Sequence, residues 1–176
     1  MGVINSIVNN KSQKDKEVFV KGLKINRRFT KKGVDPLSEV EYELRSSSIR
    51  NPDGSIVFEM KDVEVPKNWS QIATDIIAQK YFRKAGVPQF DKNGKPILDS
   101  SGKQVLGSEK SARQLVERLA ETWRYWGEKY NYFASKDDAQ AFEDEIKFML
   151  INQYAAPNSP QWFNTGLFYK YGITGP

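Results

Sequence analysis

The chain has 176 residues, 39% hydrophobic and 12% aromatic, with a net charge of +5; this is enough apolar material for one packed domain and too much for a disordered segment. It contains no cysteine and no histidine, which excludes within this chain a disulfide framework, a thiol nucleophile, a histidine-based triad and the usual zinc sites. No apolar run reaches the roughly eighteen residues of a membrane span, and the start MGVINSIVNNKSQK lacks the apolar core of a secretory signal, so a cytoplasmic address is expected.

Residues 1–24 read as a basic leader with a short apolar stretch, Val18–Val20, suited to an edge strand. Over residues 1–34 nine Lys/Arg face only Asp15 and Glu17, a balance of +7, which leaves −2 for the remaining 142 residues. The basic character therefore belongs to an arm and not to the fold. Such an arm could contact nucleic acid, but solvation is the commoner use.

Extended signals follow. "EVEYELRSS" alternates Val40, Tyr42 and Leu44 with Glu39, Glu41, Glu43 and Arg45, the period of a half-buried strand with Leu44 inward. Pro52-Asp53-Gly54 announces a turn before Ile56-Val57-Phe58, and "KDVEVP" stays extended up to Pro66. A helix is then expected, capped by Asn68 or Ser70, with Ile72, Ala73, Ile76, Ile77 and Tyr81 on its apolar face and Gly86 and Pro88 as stops. "FDKNGKPILDSSGKQVLG" carries Asn93-Gly94 and Ser101-Gly102 turns around Ile97-Leu98, a small hairpin or ordered excursion. A second helix is expected from about Ser108 to Tyr130, with Leu115, Leu119, Trp123, Trp126 and Tyr130 on one stripe. A third begins at Ser135, with Asp138 completing a short-armed capping box, and buries Phe142, Ile146, Met149 and Leu150 before ending at Pro157. No internal repeat is visible. The fold class expected is α+β and mainly helical: a small N-terminal β section, then three amphipathic helices.

Most candidate chemistry has a plainer use. The Gly-Lys pairs at 94–95 and 102–103 lack the earlier glycine and the following Ser/Thr of a phosphate loop, since Gln89, Ile97, Pro96 and Gln104 stand there; they are turns. Asp137, Asp138, Glu143, Asp144 and Glu145 could hold a hard cation, but they fall at a helix start or largely on its outer face, where they serve solubility. The aromatic–basic run "TWRYWGEKYNYF" could stack single-stranded nucleic acid, yet its spacing is helical and fits packing better.

"PNSPQWFNTG" at 157–166 differs. Pro157 and Pro160 stiffen it, Gly166 lets it turn, and Trp162-Phe163 can anchor it, leaving Asn158, Ser159, Asn164 and Thr165 to present neutral donors of the kind that suit a phosphate or a sugar hydroxyl. A capped helix end explains the same residues more simply.

Three segments, "RRFTKKGVDP" at 27–36, "IRNPDGSIVFEMKDVEVPKNWSQIATDIIAQKYFRKAGVP" at 49–88 and "AAPNSPQWFNTGL" at 155–167, resemble the N-terminal region of adenosylcobalamin-dependent (class II) ribonucleotide reductase. The likeness spans residues 25–176, making 1–24 the leader and 25–176 the family's N-terminal domain. It implies reduction of the ribonucleotide 2′-hydroxyl for DNA synthesis, an adenosylcobalamin cofactor, a cysteine thiyl radical and a cysteine pair as reductant, all on an α/β barrel. It implies that Ser159 contacts the substrate phosphates, with Pro160 holding its geometry, and assigns no cobalamin contact.

The departure is the missing cysteine. A chain with no cysteine cannot carry a thiyl radical or a dithiol, so the expectation is a component that is inactive alone and needs a second chain, or a downstream segment, carrying the barrel. A divided gene, an intein-interrupted gene or a partial sequence would each give this pattern. With the barrel absent, Trp162, Phe163, Phe168, Tyr169 and Tyr171 are expected to be exposed as an interface. The helical stripes leave open packing within the chain, against the barrel or across a dimer. The competing reading is a non-catalytic interaction module whose basic arm contacts nucleic acid.

Overall fold

The computed structural model describes residues 22–175; the edge strand expected at Val18–Val20 lies outside the described residues. Two antiparallel strands, β1 (Tyr42–Arg50) and β2 (Ile56–Pro66), form the first hairpin around the Asp53-Gly54 turn. Their pairing places Glu43 opposite Val65 and Arg45 opposite Val63, then slips past a bulge at which Asp62 takes φ 58°. Directly paired residues share a face, so the buried Val63 and Val65 put Arg45 inward. Leu44 lies on the other side, 64% exposed, contrary to the alternation read from the sequence. Arg45 is not orphaned there. It donates to the Trp69 carbonyl at 2.7 Å, Thr74 Oγ1 at 3.0 Å and the Lys67 carbonyl at 3.0 Å.

The chain then enters α1 (Gln71–Ile76), capped by Ser70, whose hydroxyl accepts the Ala73 N–H. It widens at once into a π-turn, Ile77–Tyr81, closed by the Phe82 N–H on the Ile77 carbonyl at 3.0 Å. The expected helix is therefore continuous only with this inserted residue. Beyond it β3 (Val87–Pro88) and β4 (Leu106–Gly107) pair across the 89–107 excursion.

That excursion is an internal repeat that the sequence reading missed. D-K-N-G-K-P-I-L at 91–98 and D-S-S-G-K-Q-V-L at 99–106 make the same turn twice. Asp91 Oδ1 accepts the N–H groups of Asn93 and Lys95, and Asp99 Oδ1 accepts those of Ser101 and Lys103.

Two long helices follow, α2 (Ala112–Lys129) and α3 (Lys136–Ile151), capped by Ser111 and Ser135. Their inner faces join Leu115, Val116, Leu119, Leu150 and Ile151 to Val63, Val65, Trp69, Ile77 and Phe82 in one core. Trp69 Nε1 donates to the Ile151 carbonyl at 2.8 Å, tying the hairpin's exit to the end of α3. The aromatic stripe of α2 leaves this core before it ends: Trp126 is 43% and Tyr130 59% exposed. Helix α3 stops at Ile151, with Gln153 in the left-handed region, six residues before Pro157.

The acidic run of α3 also departs from expectation. Glu143, Asp144 and Glu145 are buried, not outward. Glu143 accepts Arg124 at 3.0 Å and Lys147 at 2.6 Å, and Asp144 pairs with Arg27 at 2.6 Å. Glu145 takes the N–H groups of Arg28, Phe29 and Thr30 and the Thr30 hydroxyl. Burying such charges is tolerated only when each is paired: Asp144 and Glu145 dock residues 27–30, while Glu143 ties α3 to α2. No group of acidic residues suited to a metal ion occurs among the described residues, and no described helix is long and apolar enough to cross a membrane.

In place of three amphipathic helices, the described residues form two long helices, the short α1 with its π-turn, and two further short helices, α4 (Ser159–Asn164) and α5 (Leu167–Tyr171). The last two occupy what the sequence suggests is a loop.

Candidate substrate-contact site

Pro160 sits in the first turn of α4, where its fixed φ suits a helix start and its missing N–H costs nothing. Trp162 turns inward, 9% exposed, and joins the core. Gly166 takes φ 82° between α4 and α5 and lies so close to α2 that a Cβ there would meet the Arg118 carbonyl at 2.6 Å. These residues make a compact double turn packed on α2.

The clamp that holds it is ionic. Arg118 and Glu109 are both fully buried and meet twice, Nε to Oε1 at 2.7 Å and Nη2 to Oε2 at 3.2 Å. The guanidinium also donates to the Trp162 carbonyl at 3.1 Å and to the Thr165 carbonyl, satisfying the carbonyl end of α4. Glu109 further accepts the Arg83 N–H at 2.9 Å and the Tyr171 hydroxyl at 2.9 Å. Burial, reinforced by the neighbouring Glu109 carboxylate, pushes the Tyr171 phenol far up, so it remains a neutral donor. One carboxylate and one guanidinium thus pin the π-turn's exit, α2, α4 and α5 together. The sequence reading named neither residue. The available signal was position: Arg118 falls between Leu115 and Thr122 on the inner stripe of α2.

The four predicted donors separate. Asn158, Ser159 and Asn164 are exposed, whereas Thr165 is buried, with its hydroxyl on Gln161 Oε1 at 2.5 Å and its carbonyl on Arg118. Thr165 is therefore structural. Ser159 Oγ lies 3.2 Å from the Tyr81 hydroxyl. Tyr81 stacks on Trp162 with centroids 5.7 Å apart and tilts against Phe163 at 5.3 Å. Beside this pair a cleft of about 420 Å³ opens between α1 and α4, lined by Trp69, Ile76, Tyr81, Tyr154 and Trp162. Asn164 faces a separate cavity of about 400 Å³ that Arg83 also lines.

Of the aromatics expected at an interface, Trp162 is buried and Tyr171 half-buried. Phe163, Phe168 and Tyr169 stay 42%, 70% and 45% exposed. In the described part of the basic arm, Arg27 is held by Asp144, and Lys32 pairs with Asp137 at 2.5 Å.

Cobalt chemistry finds no donor set in this chain, which has neither histidine nor cysteine to offer an imidazole or a thiolate. Any protein imidazole or thiolate on a cobalamin's cobalt would have to come from outside this chain.

The chain is similar to known proteins over most of its length. A family model described as class II vitamin B12-dependent ribonucleotide reductase matches residues 43–153. The chain is 49% identical over 170 residues to a vitamin B12-dependent ribonucleotide reductase of Agrobacterium fabrum, covering 88% of this chain and 13% of that protein. It is 48% identical to the enzyme of that name from Bradyrhizobium diazoefficiens, with 88% and 14% covered. The Streptomyces avermitilis protein of the same name is 43% identical over 148 residues, with 83% and 14% covered. The chain thus spans about one-seventh of the length of these relatives, and it belongs to the class II vitamin B12-dependent ribonucleotide reductase family as its N-terminal region.

Proposed function

We propose that residues 25–176 act as the N-terminal domain of an adenosylcobalamin-dependent ribonucleotide reductase in the cytoplasm, and that Ser159 contacts the substrate phosphates during reduction of ribonucleotides to deoxyribonucleotides. The observation that carries this reading is the exposed Ser159 hydroxyl at the head of α4, on a segment that the buried Arg118–Glu109 pair fixes against α2. A neutral hydroxyl on a rigid support binds an anionic group without adding a titrating group of its own.

The chain's part in the reaction is binding and orientation. The cobalamin supplies radical initiation when bound, and it belongs, with the radical and redox cysteines, to the barrel that this cysteine-free chain must meet. The exposed Phe163, Phe168 and Tyr169 offer that barrel an apolar contact. The alternative, a nucleic-acid-binding module, is disfavoured by the pairing of Arg27 and Lys32 with α3.

The test is deoxyribonucleotide formation. Residues 1–176 alone are expected to give none, and addition of a cysteine-bearing barrel polypeptide to restore it. Ser159→Ala in the assembled reductase is expected to weaken substrate binding by about 1.5–3 kcal/mol, one charge-assisted hydrogen bond. Unchanged substrate affinity removes the site assignment.

A further inference from the structure

The geometry points to Tyr81 as the residue that aims the Ser159 hydroxyl at the substrate. This inference rests on the reading of Ser159 as a substrate contact, and it adds a second residue that neither the sequence pattern nor the family match assigns.

The position of Tyr81 follows from the π-turn. In an uninterrupted α-helix the residue four after Ile77, which is Tyr81, would share its face and enter the core. The π-turn inserts one residue, so that Phe82 takes that place instead, bonded through its N–H to the Ile77 carbonyl at 3.0 Å. Ile77 and Phe82 are then both buried, 4% and 2% exposed, and Tyr81 is displaced to the core's rim facing α4. Single π-turns recur at functional sites because they re-aim one side chain.

Once displaced, the ring is fixed. It stacks on Trp162 at 25° between planes and tilts against Phe163, two residues of the same short helix that carries Ser159. The phenol oxygen ends 3.2 Å from Ser159 Oγ.

Two hydroxyls in this relation hold two protons between them, and each oxygen can also accept. A phenol is the stronger donor of the two. With Tyr81 donating to Ser159 Oγ, the serine proton must point elsewhere, toward the open side where an oxyanion can accept it. Hydrogen bonds in such a chain polarise one another, so the serine also becomes the better donor. Tyr81 is in this sense a positioning residue: it acts through Ser159 and touches no reacting atom.

The experiment compares Tyr81→Phe, Ser159→Ala and the double variant in the complete reductase, reading KM and kcat with ribonucleoside diphosphates and triphosphates. Tyr81→Phe keeps the ring and its stacking, so thermal unfolding is expected to be unchanged. Its KM is expected to rise about three- to tenfold, the size of one neutral hydrogen bond, with kcat near the parent value. The double variant is expected to be no worse than Ser159→Ala, since Tyr81 has nothing to aim once the hydroxyl is gone. An unchanged KM for Tyr81→Phe beside a raised KM for Ser159→Ala overturns the inference and leaves the Ser159 reading standing. Full additivity in the double variant, or a fall in kcat at constant KM, also overturns it. If neither single variant moves KM, both readings fail together.

Discussion

Glu109 and Arg118 face each other as a two-pronged ion pair with no solvent exposure on either side chain. Such a pair owes its persistence to its further partners: both carboxylate oxygens and all three guanidinium nitrogens are engaged, by each other, by backbone and by Tyr171. Removing one member therefore strands the other. Arg118→Met is expected to cost about 3–5 kcal/mol in urea unfolding, and hydrogen exchange in α4 and α5 is expected to accelerate more than in α3. Equal loss of protection in both regions would show that the pair stabilises the fold generally and not the candidate site in particular.

Two glycines in left-handed conformation give a contrast that separates strain from crowding. Gly166 at φ 82° is pressed against Thr122 and the Arg118 carbonyl, whereas Gly172 at φ 69° has open space where a Cβ would lie. Gly172→Ala is expected to cost about 1 kcal/mol, the backbone penalty alone. Gly166→Ala carries the same penalty plus a clash with rigid backbone, and is expected to cost about 3 kcal/mol or more. Chemical denaturation of the two variants side by side checks the order.

The docking of residues 27–30 on α3 makes stability depend on acid. Burial acts to raise the Glu145 carboxyl, but the Thr30 hydroxyl and the N–H groups of Phe29, Arg28 and Thr30 outweigh it and hold the group below its ordinary value of 4.5. A carboxyl depressed on folding stabilises fully above its unfolded value and loses that contribution as pH falls through its folded value. Glu145→Gln is accordingly expected to cost about 2 kcal/mol near neutral pH. The difference from the parent chain should shrink steadily below about pH 4.5. A gap that stays constant from pH 7 to pH 3 would mean that the carboxylate's charge is irrelevant to docking.

Phe168 is the most exposed aromatic of the α4–α5 segment at 70%, and its burial in the assembled enzyme follows from the proposed barrel contact. Phe168→Asp is expected to leave the melting temperature of residues 1–176 unchanged while weakening association with a barrel-bearing polypeptide at least tenfold, read by titration calorimetry. Unaltered affinity would place the interface elsewhere.

Local rules made the long elements legible. Ser135 with Asp138 marks the start of α3, Pro52-Asp53-Gly54 marks the first hairpin, and the 3.6-residue spacing around Leu115 and Leu119 marks α2. Each signal acts within a few residues, where sequence neighbours are also spatial neighbours. The errors lie where distant segments decide. Leu44 faces outward because its partner is Glu64, whereas the buried Val63 and Val65 lie opposite Arg45 and Glu43, a pairing that local alternation does not reveal. Glu143, Asp144 and Glu145 read as solvated because their partners, Arg124, Lys147, Arg27 and the 28–30 backbone, come largely from other elements. The double turn α4–α5 reads as a loop in the sequence because helices of six and five residues do not form on propensity alone.

The sequence by itself determined the first hairpin, the two long helices and the absence of any cysteine thiol, since caps, periodicity and composition are properties of neighbours along the chain. Only the tertiary structure decided where the Ser159 hydroxyl stands and what it touches. That placement depends on a guanidinium reaching across 47 residues to the Thr165 carbonyl and on a π-turn delivering a phenol from 78 residues away, and contacts over such separations form only when the core closes.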